Sequence, residues 1–285
     1  MADASAPPPD AGGEASASAA NQTFSDTCLT TEPPGRSVRT LTANNAAELG
    51  GATLGSRNVI PGFLRRPVTI TVREPSIRLT VGPAFVVRSS ESSRYLSLIA
   101  SVTNPGNDYF CFLEATDMRW LAADGRQLLK SDRSFLQGSV GEANGLYTDT
   151  CLGAGDLGYL FEIEAGESVF AGVSSIELAF ASSSPGSPVS GALLPTQYVA
   201  CKDGRQFEVA LESRGPAAVG LWDDAVGTYF LLDEDGPVEW GYLRTRRGLG
   251  VYAPGKVTVG GAANFYPGAI QRIHVYTAFD DPAGF

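Results

Sequence analysis

From residue 67 onward apolar side chains recur at every second position, the pattern of half-buried strands and not of helices. Val68, Ile70 and Val72 alternate with Thr69, Thr71 and Arg73, and Ile77, Leu79 and Val81 alternate with Arg78 and Thr80. Leu96, Leu98, Ala100 and Val102 continue the series. Further on, the same alternation pairs Phe161 with Ile163, Ile176 with Leu178 and Phe180, Phe207 with Val209 and Leu211, Val238 with Trp240 and Tyr242, and Ile273 with Val275. Between the runs stand turn sequences, Asn104-Pro105-Gly106-Asn107, Asp124-Gly125, Asp203-Gly204 and Asp235-Gly236, in which Gly tolerates positive φ and Asp or Asn bonds to its own backbone. Short strands punctuated this way predict an all-β chain of antiparallel β-sandwich domains, immunoglobulin-like or jelly-roll-like. Only 43–49, with Ala46, Ala47 and Glu48 ahead of Gly50-Gly51, predicts a short helix.

The Ser-, Pro- and Gly-rich stretch 181–197 reads as a linker. It separates a first sandwich, 67–180, from a second β domain, 198–285, while 28–66 is expected to wrap irregularly over one or the other. Residues 1–27 hold one aromatic, Phe24, among Ala, Ser, Pro, Gly and Asp. Such a segment has too little apolar surface to offset its chain entropy, so it is expected to be a disordered tether. Its composition resembles the stretch that follows the lipidated cysteine of bacterial lipoproteins, which implies a lipid anchor. Three lysines (Lys130, Lys202, Lys256) against eighteen arginines fit a GC-rich bacterial genome.

Composition then removes function classes. The chain has 285 residues, is 43% hydrophobic and carries a net charge of −10, so nucleic acid and anionic lipid headgroups are poor partners for it. No apolar run approaches the roughly 18 residues that span a bilayer, and the first residues lack the basic-then-apolar order of a signal peptide. A single histidine, His274, leaves little for acid–base or transition-metal chemistry.

Four cysteines, Cys28, Cys111, Cys151 and Cys201, are far apart and form no C-x-x-C pair, which argues against a thiolate zinc site. Two disulfides and an oxidising compartment are expected, against the alternative of four buried thiols in a cytosolic protein. Three connectivities are possible. Cys111 with Cys151 is favoured because both fall within 67–180, a closure that stabilises by about 3–4 kcal/mol in the chain-entropy picture. Cys28 with Cys201 would then pin the N-terminal segment to the second half.

Within 95–180, the run Val102-Thr103-Asn104-Pro105-Gly106, the hairpin Trp120-Leu121-Ala122-Ala123-Asp124-Gly125-Arg126 and the turn Leu152-Gly153-Ala154-Gly155-Asp156 leading into 157–164 are similar to one known pattern. Together they resemble the immunoglobulin-like sandwich of the FxLYD type in bacterial secreted proteins and lipoproteins. The naming Phe-x-Leu-Tyr-Asp string is absent, and Met118-Arg119-Trp120-Leu121 occupies the corresponding strand. The resemblance implies a sandwich, an extracytoplasmic address and no catalysis.

Candidate chemistry is sparse. His274 alternates with Ile273 and Val275, which predicts a place on a solvated sheet face; no Gly-x-Ser-x-Gly elbow is present to build a hydrolase around it. Asp233-Glu234-Asp235 before Gly236 reads as an exposed hairpin turn, with a calcium site as its alternative, because Ca²⁺ favours all-oxygen ligands. Thirteen of the 27 aromatics fall in 198–285. Val238, Trp240 and Tyr242 share a strand face and read as core. Trp222 beside Asp223 and Asp224, and the loop pair Phe265-Tyr266, instead suggest an exposed aromatic-and-acid surface that could stack on a sugar and accept its hydroxyls. The resulting expectation is a non-enzymatic extracytoplasmic protein, outer-membrane-attached, periplasmic or secreted. It would bind a surface protein or a second copy of itself; a carbohydrate-binding module or a polysaccharide-acting β-sandwich enzyme is the alternative.

Overall fold

The computed structural model describes residues 38–41, 46–49, 54–55, 62–73, 79–89, 95–107, 110–111, 115–131, 135–138, 140–144, 147–180, 188–189, 193–200, 206–213, 219–220, 225–245, 251–252, 256–263 and 266–277. The proposed tether 1–27, Cys28, Cys201, most of the linker 181–197, Trp222, Asp223, Asp224 and Phe265 lie outside them.

The protein is all-β and sandwich-like, as its alternation predicts. Among the described residues the one helix is the single turn Glu167–Phe170. In the first half a five-stranded antiparallel sheet, ordered Phe135–Gln137, Leu157–Ala165, Tyr95–Thr103, Thr80–Arg88 and Leu64–Pro67, faces a four-stranded sheet, ordered Gln127–Ser131, Ala115–Ala122, Val173–Phe180 and Thr69–Val72. The last pair runs parallel. Between the sheets Val86, Leu96, Leu98, Ala100, Val102, Met118, Trp120, Leu160, Ile176 and Leu178 form the core. A smaller sheet sets Cys111 opposite Cys151 across an antiparallel pair. Cys151 is buried.

The second half is one eight-stranded antiparallel sheet, ordered Val38–Thr40, Ala46–Leu49, Arg272–Thr277, Ala225–Leu232, Pro237–Thr245, Lys256–Ala262, Gln206–Ser213 and Leu193–Ala200. It rolls up, because its far strand Leu193–Ala200 returns against Val38–Thr40, Ala46–Leu49 and Arg272–Thr277. Phe207, Val209, Leu211, Tyr229, Leu231, Val259, Ile273 and Val275 fill the interior.

Residues 46–49 are therefore a strand and not the helix their alanines predict. The strand divides its side chains between two buried environments: Ala47 and Leu49 point into the rolled sheet, and Ala46 into a separate cluster on the opposite face. Pairing with Arg272–Thr277 over all four residues outweighs a helix preference of a few tenths of a kcal/mol per residue.

That separate cluster joins the halves. Val87, Ile99, Tyr159 and Phe161 on the outer face of the five-stranded sheet meet Ala46, Phe230, Leu232 and Tyr276 on the outer face of the rolled sheet. The central strand Tyr95–Thr103 is consequently covered on both faces. This explains why Ile99 breaks the polar alternation of Ser97 and Ser101, and why Leu96, Leu98, Ile99, Ala100 and Val102 are all buried.

Candidate functional site

The site is built on the seam. Across five neighbouring strands the register aligns Arg39 with Glu48, Glu48 with His274, His274 with Phe230 and Phe230 with Trp240. These five residues form one row on the outer face of the rolled sheet, because directly opposed residues of a sheet share a face. Two first-half aromatics lie on the row. Tyr159 stacks on Phe230 with ring centroids 4.0 Å apart, and Phe161 meets Trp240 at 4.5 Å. Trp240 continues edge-on to Tyr242 at 5.5 Å, and Tyr242, 46% exposed, brings the series to the surface.

His274 sits at the centre of the row and is 3% exposed, which corrects the expectation of a solvated position. The alternation placed it correctly opposite Ile273 and Val275; the first half then covers that face. Nδ1 of His274 lies 2.7 Å from the Tyr159 hydroxyl, and Nε2 lies 3.1 Å from Oε2 of Glu48. In the neutral ring the Tyr159 hydroxyl donates to Nδ1 while Nε2–H donates to the carboxylate. Arg39 closes the far end on Glu48 at 3.1 Å. Burial holds His274 down to about 4, with Arg272 and Arg39 adding to the shift and Glu48 opposing it. Burial likewise pushes the Tyr159 phenol well above its usual range.

A second polar cluster fastens the acidic turn to the first half. Asp233 is 6% exposed, whereas Glu234 and Asp235 face solvent, so the reading of an exposed turn fails for the first of the three. Oδ1 of Asp233 accepts the backbone N–H of Asp235 at 2.9 Å and of Gly236 at 3.0 Å, the local bond that makes Asp a turn former. Oδ2 accepts Nη1 of Arg65 at 2.6 Å and the Tyr266 hydroxyl at 2.5 Å. Arg65 also lies over the Phe85 ring, 3.6 Å from its centroid, and Phe63 packs edge-on against Tyr266.

Burial alone would raise the Asp233 carboxyl, but the Tyr266 and Arg65 hydrogen bonds outweigh it and hold the value below the ordinary one. Burial and the same carboxylate push Tyr266 up to about 12. Thus the structure brings together two groups the sequence singled out separately, Tyr266 and Asp233, through Oδ2 of the acid, while Oδ1 holds the turn. Among the described residues no three His, Cys, Asp or Glu side chains gather as a metal site.

A third cluster is exposed. On the outer face of the four-stranded sheet Asp117 pairs with Arg73 at 2.6 Å, Arg119 at 2.9 Å and Lys130 at 3.5 Å. The hydrogen bond from Arg73, partly offset by desolvation and assisted by Arg119 and Lys130, holds Asp117 down to about 2. The alternation of Asp117 and Arg119 with Met118 and Trp120 is the sequence signal that could have located it.

The turns behind the FxLYD resemblance also meet. Asn104, buried at the end of Tyr95–Thr103, donates from Nδ2 to the carbonyls of Leu152 and Gly153 at 3.1 and 3.2 Å. Oδ1 of Asn104 accepts the N–H of Gly106 at 3.0 Å, and Asp156 accepts the N–H of Gly153 at 3.0 Å.

No family model matches the chain, and no curated protein matches it. Among solved structures, a mutant of Bacillus subtilis oxalate decarboxylase aligns with 80% of this chain and 79% of its own at 10% identity. The TM-score is 0.18, too low for a shared fold, and nothing of that enzyme's activity is carried over.

Proposed function

We propose that the chain is a non-enzymatic binding or assembly protein that works outside the cytoplasm. The carrying observation is the way its buried ionisable groups are engaged. A general acid or base has to reach a substrate proton, yet both ring nitrogens of His274 face protein partners, and Asp233 takes four donors from its own chain. These groups link the two halves into one body that can present a surface. Tyr242, at the outer end of the seam row, is the exposed aromatic best placed to touch a partner. This reading includes a disulfide at Cys151, which would fit an oxidising compartment. The register opposite Cys111 supports that residue as its partner, with Cys28 and Cys201 left for a second bond. The same reading takes 95–180 as an FxLYD-type module.

The test combines thiol chemistry with turnover. Titration of the denatured, unreduced chain should find almost no reactive thiol, and fragment mapping should recover the Cys111 peptide joined to that of Cys151. Two or more reactive thiols would remove the extracytoplasmic address. Incubation with a panel of polysaccharides should release no new reducing ends or unsaturated products; turnover there would replace the binding reading with a polysaccharide-acting enzyme.

A further inference from the structure

The seam carries an unusual combination: a titratable side chain at the middle of the surface that joins the halves, hydrogen-bonded on both sides across three strands. Its partners come from separate parts of the chain. Tyr159 belongs to the strand Leu157–Ala165 of the first half, His274 to Arg272–Thr277 and Glu48 to Ala46–Leu49 of the second. The Tyr159 ring meets His274 edge-on and itself stacks on Phe230 and meets Tyr276, whose hydroxyl donates to the Leu157 carbonyl at 2.9 Å. The charged groups facing this core are Glu48 and, beyond it, Arg39, with Arg272 on the histidine's own strand and Asp156 near Tyr276.

We propose that the Tyr159–His274–Glu48 chain is an acid-sensitive latch, and that protonation of His274 loosens the seam between the halves while each half keeps its own core. The geometry supplies the mechanism. A proton can add only at Nδ1, since Nε2–H already faces Glu48. The doubly protonated ring then donates at Nδ1, so the Tyr159 hydroxyl loses its acceptor inside an apolar cluster. The added charge also sits buried against the Tyr159 ring with one carboxylate to balance it. Each core is built apart from the seam, one between the two sheets of the first half and one inside the rolled sheet.

The sign follows from the closed state binding the proton less tightly than the open one. A histidine in water titrates near 6.5 and this one is held to about 4. Closure is therefore fully favoured above pH 6.5 and weakens as the pH falls towards 4, by on the order of a hundredfold in the opening equilibrium.

The test is a titration of the full chain from pH 7.5 to 3.5, following near-ultraviolet circular dichroism, far-ultraviolet circular dichroism and the radius of gyration by small-angle X-ray scattering. Loss of the near-ultraviolet signal and growth of the radius should precede any change in the far-ultraviolet signal. In His274→Gln, whose amide does not titrate, that early step should vanish. Two further variants keep the proposal falsifiable should His274→Gln fold poorly: Arg272→Gln removes a repelling cation, lets the closed state accept the proton more readily and should shrink the step or move it to lower pH, while Glu48→Gln removes the balancing charge and should enlarge the step or move it to higher pH. The latch is overturned by near- and far-ultraviolet signals that fall together, by no change down to pH 3.5, or by a step that neither variant changes in size or midpoint.

Discussion

Arg65 and Asp233 are 168 residues apart and meet as an ion pair of 2.6 Å, with side chains only 12% and 9% exposed. The pair fastens a hairpin turn of the second half to an edge strand of the first. Asp233→Ala would leave a buried guanidinium without its counter-ion and the turn without its side-chain acceptor. The expected loss is about 3–5 kcal/mol, the scale for breaking one side of a buried pair. Glu234→Ala and Asp235→Ala, at exposed neighbours, should stay within about 0.5 kcal/mol. Urea midpoints for the three single variants check this, and equal effects at all three would show that the buried contact is not what anchors the turn.

Gly236 closes the same turn at φ 138°, and a Cβ there would come 3.0 Å from Cβ of Pro83 and 3.2 Å from Cε2 of Phe85. Gly236→Ala combines left-handed strain with a clash against the first half. Its melting temperature should drop by several degrees, about the shift that 1–2 kcal/mol produces in a chain of this size. An unchanged melting temperature would mean that the turn can move off the first half at little cost.

The aromatic row should show a gradient from inside to outside. Phe230→Ala, fully buried beneath Tyr159, should cost about 3–5 kcal/mol through the cavity it leaves. Tyr242→Ala should cost far less, because nearly half of that ring already faces water. If Tyr242 is the contact point for a partner, its removal should weaken binding to cell-surface extract at unchanged stability; a large loss of stability would assign it to the core.

On the outer face of the first sandwich, Asp117→Asn should leave Arg73, Arg119 and Lys130 facing one another without their shared carboxylate. The melting temperature should fall at low salt, and the difference from the parent should shrink as ionic strength rises. The folded value of about 2 lies below the ordinary 3.8, so the parent's advantage is complete above pH 3.8 and disappears as the pH falls through 2. A difference that persists in high salt would point to packing instead of charge.

Strand alternation makes most of this architecture legible from the chain itself. Val68–Ile70–Val72, Leu96–Leu98–Ala100 and Phe207–Val209–Leu211 each point one face inward, since side chains of a strand alternate whatever the strand's neighbours are. Turn positions such as Asp124-Gly125 and Asp235-Gly236 are equally local, because they depend on the conformations that Gly and Asp permit. The resulting sequence pattern defines the inside of each half.

Only the tertiary structure decides what covers the other face. Local alternation puts His274 on the outer side of the rolled sheet in either case, whereas a bulge at Val238 breaks the single face expected for Val238, Trp240 and Tyr242, turning Val238 inward and Trp240 outward; whether the outer side meets water or Tyr159 and Phe161 depends on docking between segments more than a hundred residues apart. The same docking turns Asp233 from an exposed turn acid into the partner of Arg65, and gives 46–49 a sheet to pair with in place of its helix preference. Burial sets the ionisation of His274 and Asp233, and burial is a property of the assembled body. The sequence by itself determined the strands, their inward faces and their turns, whereas docking alone decided which polar residues became buried links, because contacts between distant segments leave no periodic trace along the chain.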